Sequence, residues 1–369
     1  MSMTTRLKSN GSTAAPRAVG DDTQTGSVRA LVFLRDRGII VLWLFLVLVF
    51  SLWAAPYFFS LANAALVANA AALTAIFAAA VAFGVLSGAL DLSVPGAATM
   101  GAVVGGTLLA GGAPTFVGIL AALATGVAIG LVNGLLVQRG LNPLVVTIGM
   151  LTVLGGLAQV VAGGVPISGI TQLGFMGSVS YFGIPAPVIV VAIIFVVGTL
   201  FLTQTRAGGR LMAVGTNAEA VRRVGVSASK YRIIGFILSS TVAAVGGLTV
   251  TATTTQASPN PSVDLLFSAL TAVALSGMPL TGGRGSLPRV LVGALIIASI
   301  SSALVIKGVP PYVATIATGV LLVGALAFDR IMTAAVAKRL VPAPTAGDAE
   351  PVKPPTIDVV PAATAPSES

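Results

Sequence analysis

The chain has 369 residues, of which 56% are hydrophobic and only 8% are charged. Because soluble domains carry about a quarter charged residues, this composition excludes a water-soluble fold and predicts an integral membrane protein. Cysteine and histidine are both absent, which excludes thiolate chemistry, histidine-bound zinc and histidine proton relays. We therefore expect no catalytic residues, no metal and no cofactor.

About ten apolar segments follow one another along the chain, each close to the ~20 residues that cross a bilayer as a helix. Glycine, proline and asparagine separate them. The pattern predicts an all-α fold, a polytopic bundle of about ten transmembrane helices. The predicted spans are 38–55, 62–86, 94–111, 114–136, 144–163, 186–203, 232–252, 264–280, 288–306 and 311–327.

The basic residues orient this bundle, since the cytoplasmic loops of membrane proteins are enriched in Lys and Arg. With ten spans and a cytoplasmic N-terminus, all 20 Lys and Arg residues except Lys307 fall on the cytoplasmic side. Both termini are therefore predicted to be cytoplasmic. Residues 38–330 form the predicted transmembrane domain. A basic tail (1–37) and a Pro/Ala-rich tail (331–369) flank it, and we predict that both are mostly disordered.

No span carries Lys, Arg, Asp or Glu in its interior. Carriers driven by protons or sodium usually place ionisable or densely polar groups near the bilayer midplane. The chain also lacks the G-x-x-x-x-G-K-[ST] phosphate loop, so it is not expected to bind ATP by that route. If the protein moves a solute uphill, a separate subunit must supply the energy.

A single carboxylate interrupts the apolar sequence between residues 62 and 137. It is Asp91, in the segment SGALDLSVPG (87–96). Gly88 weakens the preceding helix and Pro95 suits a first helical turn, so we predict a helix break in which Asp91 or Ser93 caps the next helix. A second interpretation, compatible with the first, is that the break lines a path through the membrane as a gate.

The basic segment AVGTNAEAVRRVGVSASKYR (213–232) contains a short predicted helix. Thr216 and Glu219 have the T-x-x-E spacing of a capping box, and Gly225 suits the left-handed residue that follows a helix. Two turns of helix are unstable alone in water, so the segment either docks on another surface or is an ordinary basic loop. Its predicted apolar side consists of Ala220, Val221 and Val224, with Arg222 and Arg223 elsewhere on its surface.

These stretches together resemble the permease subunits of bacterial ABC importers of the ribose/galactose/xylose type, the second binding-protein-dependent permease family. SGALDLSVPG is similar to the family's SGGIDLSVGS, LSGMPLTGGRGS (275–286) to LGGTSLSGGKGS, and LNPLVVTIGM (141–150) to NPFIVTLGT. Segment 213–232 is similar to G-x-N-x-E-A-A-x-x-x-G, with Val221 in place of an alanine. The shared Leu-Ser-Gly of the first two stretches also predicts a weak internal repeat, with spans two and three echoing eight and nine.

The resemblance implies roles for three groups of residues. The first couples the chain to a cytoplasmic ATPase, the second forms helix breaks or a gate, and the third contacts a solute-binding protein from loops 164–187 and 253–263. Taken one by one, the residues of the third group are better explained as ordinary solvated loop residues. The coupling residues are Gly215, Thr216, Asn217, Glu219, Ala220, Arg222, Arg223 and Gly225; the break or gate residues are Gly88, Asp91, Ser93, Pro95, Gly277, Gly282, Gly283, Arg284 and Gly285; the docking residues are Gln172, Tyr181, Gln256 and Asn260.

By this resemblance we expect a non-enzymatic permease subunit of an ATP-driven ABC importer in the bacterial inner membrane, carrying a monosaccharide or a similar small polar solute. Its expected partners are a cytoplasmic ABC ATPase, a periplasmic or lipid-anchored binding protein and a second permease subunit, identical or not. Nucleic acid is not an expected partner, because the positive-inside pattern explains the basic charge. The alternative function is a stand-alone facilitator or channel for small polar solutes. A membrane-embedded enzyme is disfavoured because the spans lack histidine, cysteine and paired carboxylates.

Overall fold

The computed structural model describes residues 22–340. Helices dominate it, and four two-residue strands lie in the loops. The elements are α1 (Asp22–Trp53), α2 (Leu61–Leu86), α3 (Val94–Ala110), α4 (Thr115–Gln138), α5 (Pro143–Ala162), β1 (Ile167–Ser168), α6 (Gly174–Gly177), β2 (Ser180–Tyr181), β3 (Ile184–Pro185), α7 (Ala186–Gln204), α8 (Arg206–Thr216), α9 (Ala218–Arg223), α10 (Ala228–Thr254), β4 (Gln256–Ala257), α11 (Val263–Leu275), α12 (Leu287–Ile306) and α13 (Pro311–Leu340).

Each predicted apolar segment falls on one of these helices, so the prediction of a helical membrane protein is confirmed. Within the described range, six helices are long and apolar enough to cross a membrane, namely α2, α4, α5, α7, α10 and α12. Shorter apolar helical stretches occupy Arg37–Trp53, Val94–Ala110, Val263–Leu275 and Pro311–Ala327. Helix length alone therefore supports six crossings. The ten-span topology and the side of each terminus stay predictions.

Helical structure extends into both predicted tails. Helix α1 begins at Asp22 rather than near residue 38, and α13 continues to Leu340. The added residues include runs rich in Ala, Leu, Met, Arg and Lys, which are good helix formers. The chain divides into one unit that ends at Leu326 and a second from Ala327, of which the last turns of α13 are described. The remainder of both predicted tails, 1–21 and 341–369, lies outside the described residues.

Helices α2 and α10 form the centre of the first unit. Helix α2 contacts α7, α10, α11 and α12, whereas α10 packs against α2, α3 and α4. The second half of α2, from Ala75 to Leu86, is buried on all sides, as expected of a helix that is apolar around its whole circumference. By contrast, α4, α5 and α7 carry large exposed apolar side chains such as Phe116, Val160 and Ile193. Such surfaces suit lipid or a partner helix.

Glycines at four-residue intervals allow α4 to pack directly on the backbone of α10. A Cβ added at Gly130 would lie 2.5 Å from the Ile237 Cα, and one added at Gly126 would lie 2.8 Å from the Ser240 carbonyl oxygen. Gly134 continues the same face against Ile233. This small-residue face lets two membrane helices approach closely, which increases the van der Waals contact that holds them together.

We expect Gly130→Ala to destabilise the protein, because the new methyl group has no room against α10. Overpacking of this kind lowers the free energy of unfolding by about 1–3 kcal/mol. Denaturation of the purified protein in sodium dodecyl sulfate measures the effect. The matched control is Gly149→Ala on α5, where an added Cβ meets no heavy atom within 4 Å. Equal stability of the two variants would contradict the close α4–α10 contact.

Candidate coupling and translocation site

The carboxylate of Asp91 is fully buried in the connection between α2 and α3. Its Oδ1 accepts hydrogen bonds from the backbone N–H and the hydroxyl of Ser93, at 2.9 and 2.6 Å. Its Oδ2 accepts one from the hydroxyl of Ser239 on α10, at 2.8 Å. Asn133 on α4 donates its side-chain amide to Ser93 Oγ at 2.8 Å. The break is therefore joined to two neighbouring helices through one carboxylate and one hydroxyl.

The predicted cap on α3 is wrong. Ser93 occupies the N-cap position but makes no side-chain capping bond, and its backbone already has helix-like dihedral angles (φ −79°, ψ −3°). Its hydroxyl instead donates to Asp91 Oδ1 at 2.6 Å. Asp91 closes a local turn by binding the N–H of Ser93, so it stabilises the break rather than the free N–H groups of α3. Pro95 lies in the first turn of α3, as predicted.

Four glycines bring three separate segments into backbone contact; we call Gly88, Gly215, Gly282 and Gly283 the glycine junction. A Cβ at Gly88 would lie 2.9 Å from the Gly215 Cα, and one at Gly282 would lie 2.8 Å from the Gly88 Cα. A Cβ at Gly215 would overlap the Leu86 carbonyl oxygen and lie 2.7 Å from the Gly283 nitrogen. The end of α2, the end of α8 and the loop after α11 thus touch without intervening side chains. Each segment was predicted separately, but their contact was not.

Helices α2 and α11 end in the same way, which supports the predicted internal repeat. Ser87 and Ser276 are the C-cap residues, and their hydroxyls donate to the carbonyl oxygens three residues earlier at 2.7 and 2.6 Å. Gly88 and Gly277 follow with φ of 80° and 74°, values that glycine adopts without the steric cost of a Cβ. Their N–H groups donate to Val85 and Ala274. The two Leu-Ser-Gly sequences therefore build the same helix end.

The remaining residues of the predicted second break lie around the glycine junction. Gly285 has a φ of 158°, and a Cβ there would lie 2.8 Å from Cγ of the buried Met278. Arg284 is exposed beside the junction. On the α8 side, Thr216 lies with its hydroxyl 3.1 Å from the Gly283 carbonyl oxygen and 3.0 Å from that of Met212. This hydroxyl is a second link between α8 and the loop after α11.

The predicted capping box of α9 is also wrong. Thr216 is the last residue of α8, so its hydroxyl faces that helix and Gly283. The cap is Asn217, whose Oδ1 accepts a hydrogen bond from the Ala220 N–H at 3.0 Å. At the other end Gly225 has the predicted left-handed conformation, with φ of 79°. The N–H groups of Gly225 and Val226 donate to the carbonyls of Arg222 and Val221, the two bonds of a Schellman motif.

The apolar residues of α9 are divided between two directions. Val221 packs against the core together with Ala218 and Val226, whereas Ala220 is exposed and Val224 is 76% exposed. The prediction of a single apolar side is therefore wrong, because the chain's own core takes one part of it. On the exposed surface Glu219 pairs with Arg222 at 2.8 Å and with Arg223 at 3.6 Å. Such exposed ion pairs add little stability. Val224 is an exposed apolar side chain beside these charged residues and is available for contact with a partner protein.

A small sheet joins the two loops that were predicted to face outward. Strands β1 and β4 are antiparallel, with Ser168 opposite Gln256. Asn260 accepts a hydrogen bond from Gln159 at 2.6 Å. Tyr181 lies in the β2–β3 pair and its hydroxyl is 3.4 Å from the Phe175 carbonyl oxygen, whereas Gln172 donates to the Leu109 carbonyl at 3.3 Å.

A cavity of about 280 Å³ lies beneath the β4–α11 loop, between α2, α3, α10 and α11; we call it the α3–α10 cavity. Gln256 and Asn260 belong to its lining, whereas Gln172 and Tyr181 do not. Two hydroxyls in its lining, those of Thr99 and Thr251, were not predicted from the sequence, and neither were Asn133 and Ser239 at Asp91. Isolated polar residues inside apolar spans were the available indication, since such groups in membrane helices need partners.

Comparison with known proteins agrees with this architecture. The family described as the branched-chain amino acid transport system permease component matches residues 63–326. The chain belongs to this permease family. It is 29% identical over 302 residues to the ribose import permease protein of Escherichia coli (strain K12), covering 80% of this chain and 94% of that one. It is 33% identical over 245 residues to the L-arabinose ABC transporter permease protein of Azospirillum brasilense, covering 66% and 72%. No solved structure matches the chain.

The family match confirms that the chain is a transmembrane permease subunit of an ABC importer, as the resemblance implied. The ribose import permease protein of Bacillus subtilis (strain 168) is 30% identical over 263 residues, covering 70% of this permease and 82% of the relative. The matched range contains Asp91, the glycine junction, α9 and the α3–α10 cavity. ABC importers in general work with an ATPase and a solute-binding protein, so partners of these two kinds apply to this permease.

We expect Asp91→Leu to prevent normal folding of the permease, because the donors on Ser93 and Ser239 would be buried without an acceptor. Each unsatisfied buried group costs about 1–3 kcal/mol. Asp91→Asn keeps one side-chain oxygen and should retain partial transport. The amount of folded protein in membranes and the solute uptake measure both effects. Asp264→Leu, in the exposed first turn of α11, is the control, and normal behaviour of Asp91→Leu would contradict this role.

We expect Gly215→Ala to separate α8 from the other two segments of the glycine junction. The added methyl group would overlap the Leu86 carbonyl and lie 2.8 Å from the Gly283 Cα, which costs about 1–3 kcal/mol of stability. Detergent denaturation and uptake measure the loss. Gly209→Ala is the matched control on the same helix, since an added Cβ there meets nothing within 4 Å. If both variants behave like the natural protein, the junction is not tightly packed.

Proposed function

We propose that the permease carries a monosaccharide or a similar small polar solute into the bacterial cytoplasm across the inner membrane. Ribose and arabinose are the first candidates, because the names of the similar proteins specify these sugars. We further propose that two permease subunits, identical or not, form the pathway. ATP hydrolysis is assigned to a partner, because the sequence has no phosphate-loop motif of its own.

The proposed topology has ten crossings and cytoplasmic termini. It rests on the distribution of Lys and Arg, of which only Lys307 would face outward. It requires the four shorter apolar helices to cross together with the six long ones. In this topology α8, α9 and the glycine junction lie at the cytoplasmic side, and the β1–β4 sheet lies at the outer side. The loops of that sheet are the proposed docking surface for the binding protein, with Gln172, Tyr181, Gln256 and Asn260 as candidate contacts.

The proposed coupling to an ATPase rests on one observation, the direct backbone contact between α8 and the connection that contains Asp91. Helix α9 follows α8 after the single residue Asn217. The end of α8 contacts Gly88, and Asp91 lies three residues further along the same connection. A displacement of α9 by the ATPase would therefore reach the break through close-packed backbone contacts, and close-packed groups transmit strain. We assign the ATPase contact to Val224 and Ala220, with Arg222 and Arg223 around them.

We expect Val224→Asp to weaken binding of the ATPase at least about five-fold, as loss of an apolar anchor costs more than about 1 kcal/mol. Folding should be unaffected, because the side chain is 76% exposed. Co-purification of the ATPase from gently solubilised native membranes, followed by mass spectrometry, measures the effect. Leu141→Asp is the control, because Leu141 is also exposed and lies in another predicted cytoplasmic loop.

The same experiment separates the importer from a stand-alone facilitator. An ATPase that is retained by the natural protein and by Leu141→Asp, but lost with Val224→Asp, supports coupling through α9. An ATPase retained by all three would place the contact elsewhere. A partnerless protein that conducts ribose or arabinose passively in liposomes would contradict the proposed coupling through α9 and favour transport without an ATPase.

A further inference from the structure

We propose that the α3–α10 cavity is a binding site for one uncharged, polyhydroxylated solute molecule within a single permease subunit. The inference rests on the proposed function and adds the place and the chemistry of a solute site to it. The cavity holds about 280 Å³. It is thus close to the lower end of the ~300–1,000 Å³ of small-molecule sites, which suits a compact solute.

Two helix faces form the cavity walls. On α3 the lining residues are Pro95, Ala98, Thr99 and Ala102, which recur with the three- and four-residue spacing of one helical face. On α10 the lining residues have the same spacing, from Gly247 to Thr254. Because both walls are regular helices, the site is preformed rather than assembled from mobile loops.

The hydroxyls of Thr99 and Thr251 differ from those of most threonines on these two helices. Thr241 on α10 also has an unpaired hydroxyl, but it lies outside the cavity lining. A threonine inside a helix commonly donates to the carbonyl four residues earlier, as Thr107 on α3 and Thr249 on α10 do at 2.8 Å. Neither Thr99 nor Thr251 makes a hydrogen bond to any described residue, although their exposed fractions are only 8% and 1%. Neither hydroxyl oxygen is among the fully buried unpaired side-chain atoms of the described residues, and both residues line the cavity. The two hydroxyls are therefore available to hydroxyl groups of a solute.

The rim of the cavity adds exposed polar groups from the β4–α11 loop. They are the hydroxyls of Ser258 and Ser262 and the side-chain amides of Gln256 and Asn260. None of the described residues that line the cavity is charged. A charged solute would therefore lose its hydration without gaining an ion pair, which is strongly unfavourable. A neutral solute with several hydroxyls could donate to and accept from these groups.

Apolar groups complete the lining with a surface for the C–H groups of such a solute. Phe77 of α2, Val250 of α10 and Leu265 of α11 contact the same space. Pro95 also lines it and lies two residues after Ser93, which holds Asp91. The cavity therefore ends beside the break, and a movement of the break would change the end of the cavity.

The absence of cysteine from the natural sequence permits a direct test. Thr251→Cys and Ser262→Cys each introduce one thiol into the permease chain, at the depth and at the rim of the cavity, and each variant is tested in the assembled importer. Iodoacetamide, a small neutral thiol reagent, is applied with and without ribose or arabinose, and with ribose 5-phosphate as the charged comparison. The rate of alkylation is measured by mass spectrometry of the intact permease.

Two further variants serve as controls. Thr249→Cys lies two residues from Thr251 but is fully buried and outside the cavity lining, so it should not react. Ser180→Cys is exposed in the β2 strand and also outside the lining, so it should react at the same rate with and without sugar.

We expect the neutral sugar to slow alkylation of both cavity thiols about ten-fold when its concentration is roughly ten times its Kd. Ribose 5-phosphate should not slow it. If Thr251→Cys does not reach the membrane, Ser262→Cys decides the result alone. Thiols that are unreactive, or that react equally with and without sugar in an importer that takes up sugar, would overturn the cavity proposal and leave the proposed function intact. Protection in a preparation that shows passive sugar flux but no ATP-driven uptake would support the cavity and contradict the proposed ATP-driven import of the sugar.

Discussion

The structure depends on the satisfaction of one buried carboxylate. Between α2 and α3 the chain leaves helical geometry among apolar helices, where water does not supply partners for polar groups. Asp91 supplies a local partner for such polar groups. It accepts three hydrogen bonds from described residues, two from Ser93 and one from Ser239. Asn133 extends the network to α4. The direction in which α3 leaves the break, and with it one wall of the α3–α10 cavity, follows from this arrangement.

Glycine gives the same region its second property, which is contact between backbones. At the glycine junction the end of α2, the end of α8 and the loop after α11 meet at distances that a Cβ would prevent. Interfaces of this kind are rigid, because close-packed groups have little room to rearrange. A rigid connection between α8 and the break suits a subunit that must convert motion at one face into a change in a pathway. The same contacts explain why this chain has glycine at these four positions, since a Cβ at each would overlap a neighbouring backbone.

The family match and the structure contribute different knowledge. The match over residues 63–326 makes the chain a permease subunit of an ABC importer, but it does not say which atoms meet a solute or a partner. The structure supplies candidates for both: Val224 on α9 for the ATPase, and the free hydroxyls of Thr99 and Thr251 for the solute. Helix α9 needs a partner for only part of its apolar burial, because Val221 already packs on the permease's own core.

The sequence by itself determined the membrane class, the positions of the apolar helices and the left-handed glycine after α9, and it singled out the candidate segments around Asp91, Gly215 and Gly282. Each follows from local composition, from spacing or from a resemblance between short segments. Tertiary structure alone decided that these segments touch and that Thr99 and Thr251 share a cavity. It also decided that Ser93 donates a hydrogen bond to Asp91 instead of capping α3. The cap of α9 is likewise Asn217 and not Thr216, because Thr216 binds the Gly283 carbonyl oxygen. A hydroxyl or an amide can bind its own helix or a distant neighbour, and only the packing of the helices decides which partner is within reach.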